Sequence, residues 1–218
     1  MSKILMGDYT PGPVALQGAR AVSNMFLENP PARILDPSAG SGVFGQVFRQ
    51  VWPKARTHAI EPKAVEAWFL SCNYDSYEVN RFEDASTDQK YDLVLTNPPF
   101  HSWEEFLIRA LSVVVPGGYV VFYGLTAWGA RSESGYLLFA DYPPAGQLRV
   151  PGAVSHRVKG NDTRDYCWWV FRRTHEHETN LNYWATFNLP RLPGHERKWT
   201  DGVRPGRQYG AEFQTSEA

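Results

Sequence analysis

From Pro13 to about Leu27 the apolar positions Val14, Ala15, Ala19, Val22, Met25 and Phe26 recur at helical spacing. Pro30-Pro31 closes the run, so an amphipathic helix is expected there. Short apolar runs then alternate with helical stretches. Residues 32–35 read as strand, 42–51 as helix, 57–60 as strand, 63–72 as helix, 91–96 as strand, 103–115 as helix and 119–123 as strand, with Pro116-Gly117-Gly118 turning between the last two. This regular alternation with short connections predicts a parallel sheet covered on both faces. Ligands in such a sheet bind at the carboxyl ends of the strands.

Beyond Gly124 the pattern loosens. A short helix is expected around Tyr136 to Phe139, ended by Pro143-Pro144. Residues 147–150 and 166–172 read as two strands joined by a polar loop over 151–165, and because no helix links them they are expected to be antiparallel. The segment from Thr174 onward, with Pro190, Pro193 and Pro205, reads as irregular and partly mobile. The expectation is an α/β chain: a mostly parallel, doubly wound sheet ending in an antiparallel strand pair. One domain would span 1–173, with 125–165 bordering the substrate site, and an irregular extension over 174–218 would be placed to contact substrate.

Composition narrows this only slightly. With 218 residues and 43% hydrophobic content the chain can bury one core and carry a small extension. No run of about 18 apolar residues occurs, and Met1 to Leu5 lack the apolar stretch of a secretory signal, so a cytoplasmic protein without membrane contact is expected. Cys72 and Cys167 show no metal-ligand spacing and read as reduced packing residues. His175-Glu176-His177-Glu178 has no third ligand at typical spacing; a solvated charged segment explains it, and no metal site is expected. The net charge is -1, yet residues 1–144 carry 11 Lys+Arg against 15 Asp+Glu while residues 145–218 carry 11 against 8. A mildly basic tail dotted with Trp and Tyr suits a phosphate backbone and stacked bases, and equally suits a solvated surface with anchoring aromatics.

Chemistry is concentrated at strand ends. Asp36-Pro37-Ser38-Ala39-Gly40-Ser41-Gly42 lies directly after a strand and before a helix, where glycines let the backbone turn tightly and approach a nucleotide-like ligand. Glycine turns after strands are common, so this one gains meaning from its neighbours. Glu61, followed by Pro62, ends the next strand about twenty residues on, where a carboxylate can accept hydrogen bonds from both hydroxyls of a ribose. Asp84, followed by Ala85, is a third acidic candidate; the alternative for either acid is an ordinary surface carboxylate. The strand 91–96 then runs into Asn97-Pro98-Pro99-Phe100. Two prolines hold this backbone extended and remove amide donors. Such a turn can present the Asn97 side-chain oxygen and the Pro98 carbonyl to one amino group, with an aromatic face beside it.

These motifs, in this order, resemble the amino-methylating branch of the class I S-adenosylmethionine-dependent methyltransferases, especially the N6-adenine enzymes. Tyr9-Thr10-Pro11 also resembles the segment that precedes the glycine motif in those enzymes. The resemblance covers about residues 8 to 124 and implies a Rossmann-like methyltransferase fold with S-adenosyl-L-methionine as cofactor. It gives Asp36, Ala39 and Gly40, in the turn that holds Pro37 and Gly42, to the methionine end of the cofactor, together with Tyr9, Thr10 and Pro11. Glu61 and Pro62 go to the ribose, and Asp84 and Ala85 to the adenine. Asn97, Pro98 and Pro99 would bind the amino group to be methylated, and Phe100 would stack on the substrate plane. His156, Arg157, Lys159 and Arg164 would contact phosphate or base. Related enzymes often place an aromatic in the loop 151–165, and here only His156 answers to that description.

The resemblance implies a nucleic-acid partner. Adenine in DNA is favoured, because the short chain and motif order resemble small stand-alone DNA methyltransferases such as those carried by phages. RNA adenine is an alternative, as is a protein glutamine amide, although enzymes of that kind typically carry Tyr where Phe100 stands. A cofactor-binding subunit without catalysis is the non-enzyme alternative.

Overall fold

In the computed structural model, residues 10–86, 88–156, 164–173 and 184–198 are described. Helix α1 (Gly12–Met25) leads into eight strands and five further α-helices: β1 (Arg33–Asp36), α2 (Val43–Val51), β2 (Arg56–Ile60), α3 (Ala67–Asn73), β3 (Ser76–Glu78), β4 (Tyr91–Thr96), α4 (Trp103–Val113), β5 (Val114–Leu125), α5 (Trp128–Arg131), α6 (Glu133–Asp141), β6 (Gly146–Val150), β7 (Tyr166–Arg172) and β8 (Ala185–Asn188). The strands form one sheet in the order β3-β2-β1-β4-β5-β7-β6-β8. β3, β2, β1, β4 and β5 run parallel, β7 is antiparallel to both β5 and β6, and β8 is parallel to β6. This is a doubly wound, Rossmann-like sheet that ends in antiparallel strands.

Side chains on both faces of the central strands are covered, as an apolar run rather than an alternating one requires. Leu93, Val94 and Leu95 of β4, Val120 to Tyr123 of β5 and Tyr166 to Phe171 of β7 are all buried. Burying side chains such as these contributes roughly 1.5–3 kcal/mol each before the entropy of ordering them is subtracted. Helix α1 buries the stripe Val14, Ala15, Ala19 and Val22 as its spacing predicts, while Met25 at its end is exposed.

Four segments differ from the sequence reading. The stretch 63–72 is split into a 3-10 turn (Ala64–Glu66) and α3, and both Val65 and Trp68 face solvent. β3 is a three-residue edge strand, too short to leave a hydrophobic pattern. Pro116-Gly117-Gly118 lies inside β5, where the pairing with β4 slips from Tyr91↔Val114 to Leu93↔Tyr119. Gly117 adopts φ 82° there, a left-handed conformation suited to glycine, so the sequence signal marked a break in register rather than the strand's start. Finally, residues 185–188, expected to be irregular, add β8 to the sheet; its four exposed residues and Pro-rich flanks hide a strand whose hold is backbone pairing to β6. His175 to Glu178 lie outside the described residues. Among the described residues no helix is long and apolar enough to cross a membrane, and no cluster of His, Cys, Asp and Glu has metal-binding geometry. Both cysteines are free, and burial in β7 pushes the Cys167 thiol well up from its ordinary value.

Candidate active site

Strand order reverses between β1 and β4, because β1 continues through α2 to β2 on one side while β4 leads to β5 on the other. The loops leaving adjacent strands diverge at such a point and open a crevice at their carboxyl ends. Register places Leu35 beside Val94, so the glycine turn after Asp36 and the proline turn after Thr96 emerge next to each other.

Asp36 joins the two turns. Thr96 Oγ1 donates to its Oδ1 at 2.6 Å, and Tyr74 OH donates to its Oδ2 at 2.6 Å. The Ser38 amide adds a longer bond at 3.3 Å. Asp36 is completely buried, and desolvation outweighs these donors, so its pKa is raised to about 6, with the nearby Glu61 charge adding to the rise. The Tyr74 hydroxyl is pushed well up by the same burial and by the Asp36 charge.

Glu61 closes the glycine turn from the next strand. Its Oε2 accepts from Gly40 N at 2.8 Å and its Oε1 from Lys63 N at 3.1 Å, and the side chain is buried. The Ala39 amide donates to the Ile60 carbonyl, a second tie between turn and strand end. Gly42 takes φ 81°, and a Cβ there would sit 2.9 Å from the Asn73 amide, so both conformation and space demand glycine. Ser41 Oγ, in the same turn, is buried with no hydrogen-bond partner. Pro37 and Ala39 are buried beside it, whereas Pro62 is exposed.

On the other side of the crevice, Asn97 Nδ2 donates to Thr10 Oγ1 at 3.1 Å. Thr10 is buried, and Pro11 leads into α1, so the first helix positions the amide of the proline turn. With Nδ2 committed to Thr10, Oδ1 becomes the acceptor end of the amide. Pro98 is buried and Pro99 half-buried. Asp84 closes a 3-10 turn (Phe82–Asp84) in the loop after β3 and is exposed; Ala85 behind it is buried, with its carbonyl accepting from the Arg109 guanidinium.

Phe100 is half-buried in an aromatic cluster that sequence reasoning missed. Its ring meets Trp128 edge-on at 5.8 Å and Tyr166 at 6.1 Å. Trp128 stacks on Trp103 at 4.8 Å and 4°, and Tyr166 stacks on Tyr123 at 5.4 Å and 11°. His156 lies within this cluster, its ring 4.4 Å from Tyr166 and its Nε2 3.2 Å from the Tyr123 hydroxyl, and it is only 3% exposed. Such burial leaves the His156 ring packed against Tyr123 and Tyr166. Arg164 is exposed, with its guanidinium carbon 5.6 Å from the Phe100 ring centre. Tyr9, Arg157 and Lys159 lie outside the described residues. Trp128 could not have been picked from the loose stretch after Gly124; Tyr166 stood only as one aromatic in a strand.

The site thus combines two buried carboxylates, Asp36 and Glu61, with an unsatisfied hydroxyl donor at Ser41. A cation with an attached carboxylate suits that set, since buried negative charge is stabilised by a positive partner. S-adenosyl-L-methionine carries a sulfonium, an ammonium and a carboxylate, and the residues present fit it.

Comparison with known proteins gives the same direction. Residues 17–121 match the family described as Methyltransferase small domain. The ribosomal RNA small subunit methyltransferase C of Aliivibrio salmonicida is 26% identical over 163 residues, which is 66% of this chain but only 43% of that protein. Among solved structures, a class I S-adenosylmethionine-dependent methyltransferase of Listeria monocytogenes superposes with a TM-score of 0.66 at 13% identity, covering 86% of this chain and 68% of its own. A modification subunit of a type I restriction enzyme from Vibrio vulnificus gives 0.59 at 14% identity, covering 92% of this chain and 50% of its own. Family match and fold together imply S-adenosyl-L-methionine as the cofactor.

Proposed function

Starting from a class I S-adenosylmethionine-dependent methyltransferase fold, we propose that this chain transfers a methyl group to the exocyclic amine of a nucleobase, adenine in DNA foremost. The observation that carries the reading is the bond from Asn97 to Thr10 beside the Asp36–Thr96 bond. Together they support a reading in which the amide of Asn97 is held beside the start of the glycine turn.

Bound cofactor supplies an electrophilic methyl on a sulfonium; Asp36, Ala39, Gly40 and Ser41 would hold its methionine end, Glu61 its ribose and Asp84 its adenine. The protein's remaining task is placement. The lone pair of an adenine amine is delocalised into the ring. Asn97 Oδ1 and the Pro98 carbonyl accept the two amine protons, which draws the nitrogen toward tetrahedral geometry and frees the lone pair for attack. Pro98 and Pro99 have no amide hydrogen, so two of the four residues of the turn add no donor beside these acceptors. No strong base is needed before attack, in keeping with a turn that holds neither histidine nor carboxylate; the methylated nitrogen would release its extra proton to solvent, the spent donor being left as a neutral thioether. A base paired inside a duplex cannot reach this corner, so a DNA substrate is flipped out or single-stranded.

RNA is the second reading, favoured by the relative named for ribosomal RNA; the modification subunit that shares the fold leans toward the first. Purified protein with labelled cofactor is incubated separately with unmethylated genomic DNA, total RNA and a protein extract, and the modified nucleoside or residue is identified by mass spectrometry. N6-methyladenine in the DNA arm is expected. A methylated adenine only in the RNA arm selects the second reading, and label confined to protein glutamine overturns both.

A further inference from the structure

A flat base needs two faces to hold it, and the loop 151–165 offers no second aromatic on the scale of Phe100 apart from the buried His156. We propose that Arg164 supplies that second face: the target base slides between the Phe100 ring and the Arg164 guanidinium. This rests on the nucleobase reading and narrows it to a planar heteroaromatic amine.

The topology brings the pair together. β7 is antiparallel to β5, so its first residues, and Arg164 just ahead of them, lie at the end of the sheet where the parallel strands finish. Tyr166, paired with Leu125, anchors this end through its stack on Tyr123. From there the guanidinium reaches over two rings, 5.6 Å from Phe100 and 5.8 Å from Tyr166.

A guanidinium is planar and weakly hydrated, stacks on aromatic faces and serves as a stacking plane for unpaired bases. Inserting a base requires two contacts of roughly 3.5 Å each, or about 7 Å between the flanking planes. The guanidinium carbon lies 5.6 Å from the Phe100 ring centre, so it has to move outward by at least about 1.4 Å, which a long, exposed arginine side chain supplies by a small swing. Before substrate arrives the cation covers the Phe100 face and keeps it from standing bare to water. A carboxamide side chain offers too little plane to replace that contact, so the clamp selects for a ring.

The test compares Arg164→Ala, Arg164→Lys and Arg164→Phe with the parent. Each is assayed for methyl transfer to unmethylated genomic DNA, for cofactor affinity by calorimetry and for the salt dependence of binding to the same DNA. The clamp predicts a loss of about 10- to 100-fold in kcat/KM for both Ala and Lys, substantial recovery in Phe, unchanged cofactor affinity and an unchanged salt slope. A Lys variant within twofold of the parent, with the Ala variant's salt slope reduced by about one, makes Arg164 a phosphate contact and overturns the clamp. A Phe variant as impaired as Ala overturns it too. Should the parent itself methylate no nucleic acid, the nucleobase reading falls first, and the two failures are told apart by that arm.

Discussion

Replacing Asp36 by asparagine should make the cofactor-free protein more stable at neutral pH, although it removes a residue central to the site. The carboxyl is raised from 3.8 to about 6 by burial. A raised acid keeps its proton in the fold over a range where the unfolded chain has lost it, so stability falls as pH climbs from about 4 to 6 and is then level. Once ionised, Asp36 costs the folded state about 3 kcal/mol relative to an unperturbed carboxyl, and about half of that is already present near pH 5. Asparagine has nearly the same shape and no charge. Its oxygen can accept from one hydroxyl while its NH2 donates to the other, so the bonds to Thr96 and Tyr74 are largely preserved.

Neutral bonds are weaker than charge-assisted ones, so part of the gain is returned and about 1–2 kcal/mol should remain at pH 8. For a chain of this size that is a rise in Tm of roughly 2–8 °C. Thermal unfolding followed by circular dichroism, at pH 5 and pH 8 without cofactor, reads it directly. The advantage of Asp36→Asn should be at least 1 kcal/mol larger at pH 8 than at pH 5. If the variant is less stable at both values, or the difference does not change with pH, Asp36 is not held as a desolvated anion and the electrostatic account of the crevice is wrong. Calorimetry on the same protein should show cofactor affinity reduced by about tenfold or more, since the stored charge would be balanced by the bound ammonium.

Further outcomes follow from individual contacts. Asn97→Ala should keep cofactor affinity and lose methyl transfer by about 100- to 1000-fold; an active variant would remove the proline turn from catalysis. Thr10→Val keeps the shape and takes away the acceptor for Asn97 Nδ2, so kcat should fall about tenfold with cofactor Kd unchanged, checked by single-turnover kinetics. Glu61→Gln should weaken cofactor binding by about 10- to 100-fold, the loss expected for a charged acceptor, measured by titration calorimetry. In Gly124→Ala the new methyl would lie 2.1 Å from the Trp128 ring; the near-ultraviolet dichroism of the Trp103–Trp128 pair should change, with about 1–3 kcal/mol of stability lost to overpacking.

How much of this was legible depended on whether a feature was local. β4 and β7 were read with their observed bounds, because a fully buried strand is a continuous apolar run with polar residues at its ends. The glycine and proline turns were visible for a related reason: each needs special backbone conformations that only a few residue types supply. β3 and β8 were hidden, since a short edge strand is held by backbone pairing and leaves no side-chain pattern. Within the site, the acids were picked out by position after a strand, but their partners were not. Tyr74 is 38 residues from Asp36 and Thr96 is 60, and nothing in their own neighbourhoods marks either hydroxyl for that role. The cluster around Phe100 draws on α4, α5, β5 and β7 and exists only after the sheet has closed.

Those long-range partners change what the two turns mean. Read along the chain, the glycine turn is a place for one ligand and the proline turn a place for another, with no reason for their spacing to be fixed. In the fold they share the Asp36 carboxyl: one oxygen is bonded to the residue directly before Asn97, and the carboxyl feels the charge of Glu61, which holds the glycine turn. Methyl transfer in line demands that donor carbon and acceptor nitrogen be set to within a fraction of an ångström. On the proposed reading, a single buried carboxylate bonded to Thr96 and to the Ser38 amide would provide that constraint, and the stability it costs fits a residue that serves placement rather than folding.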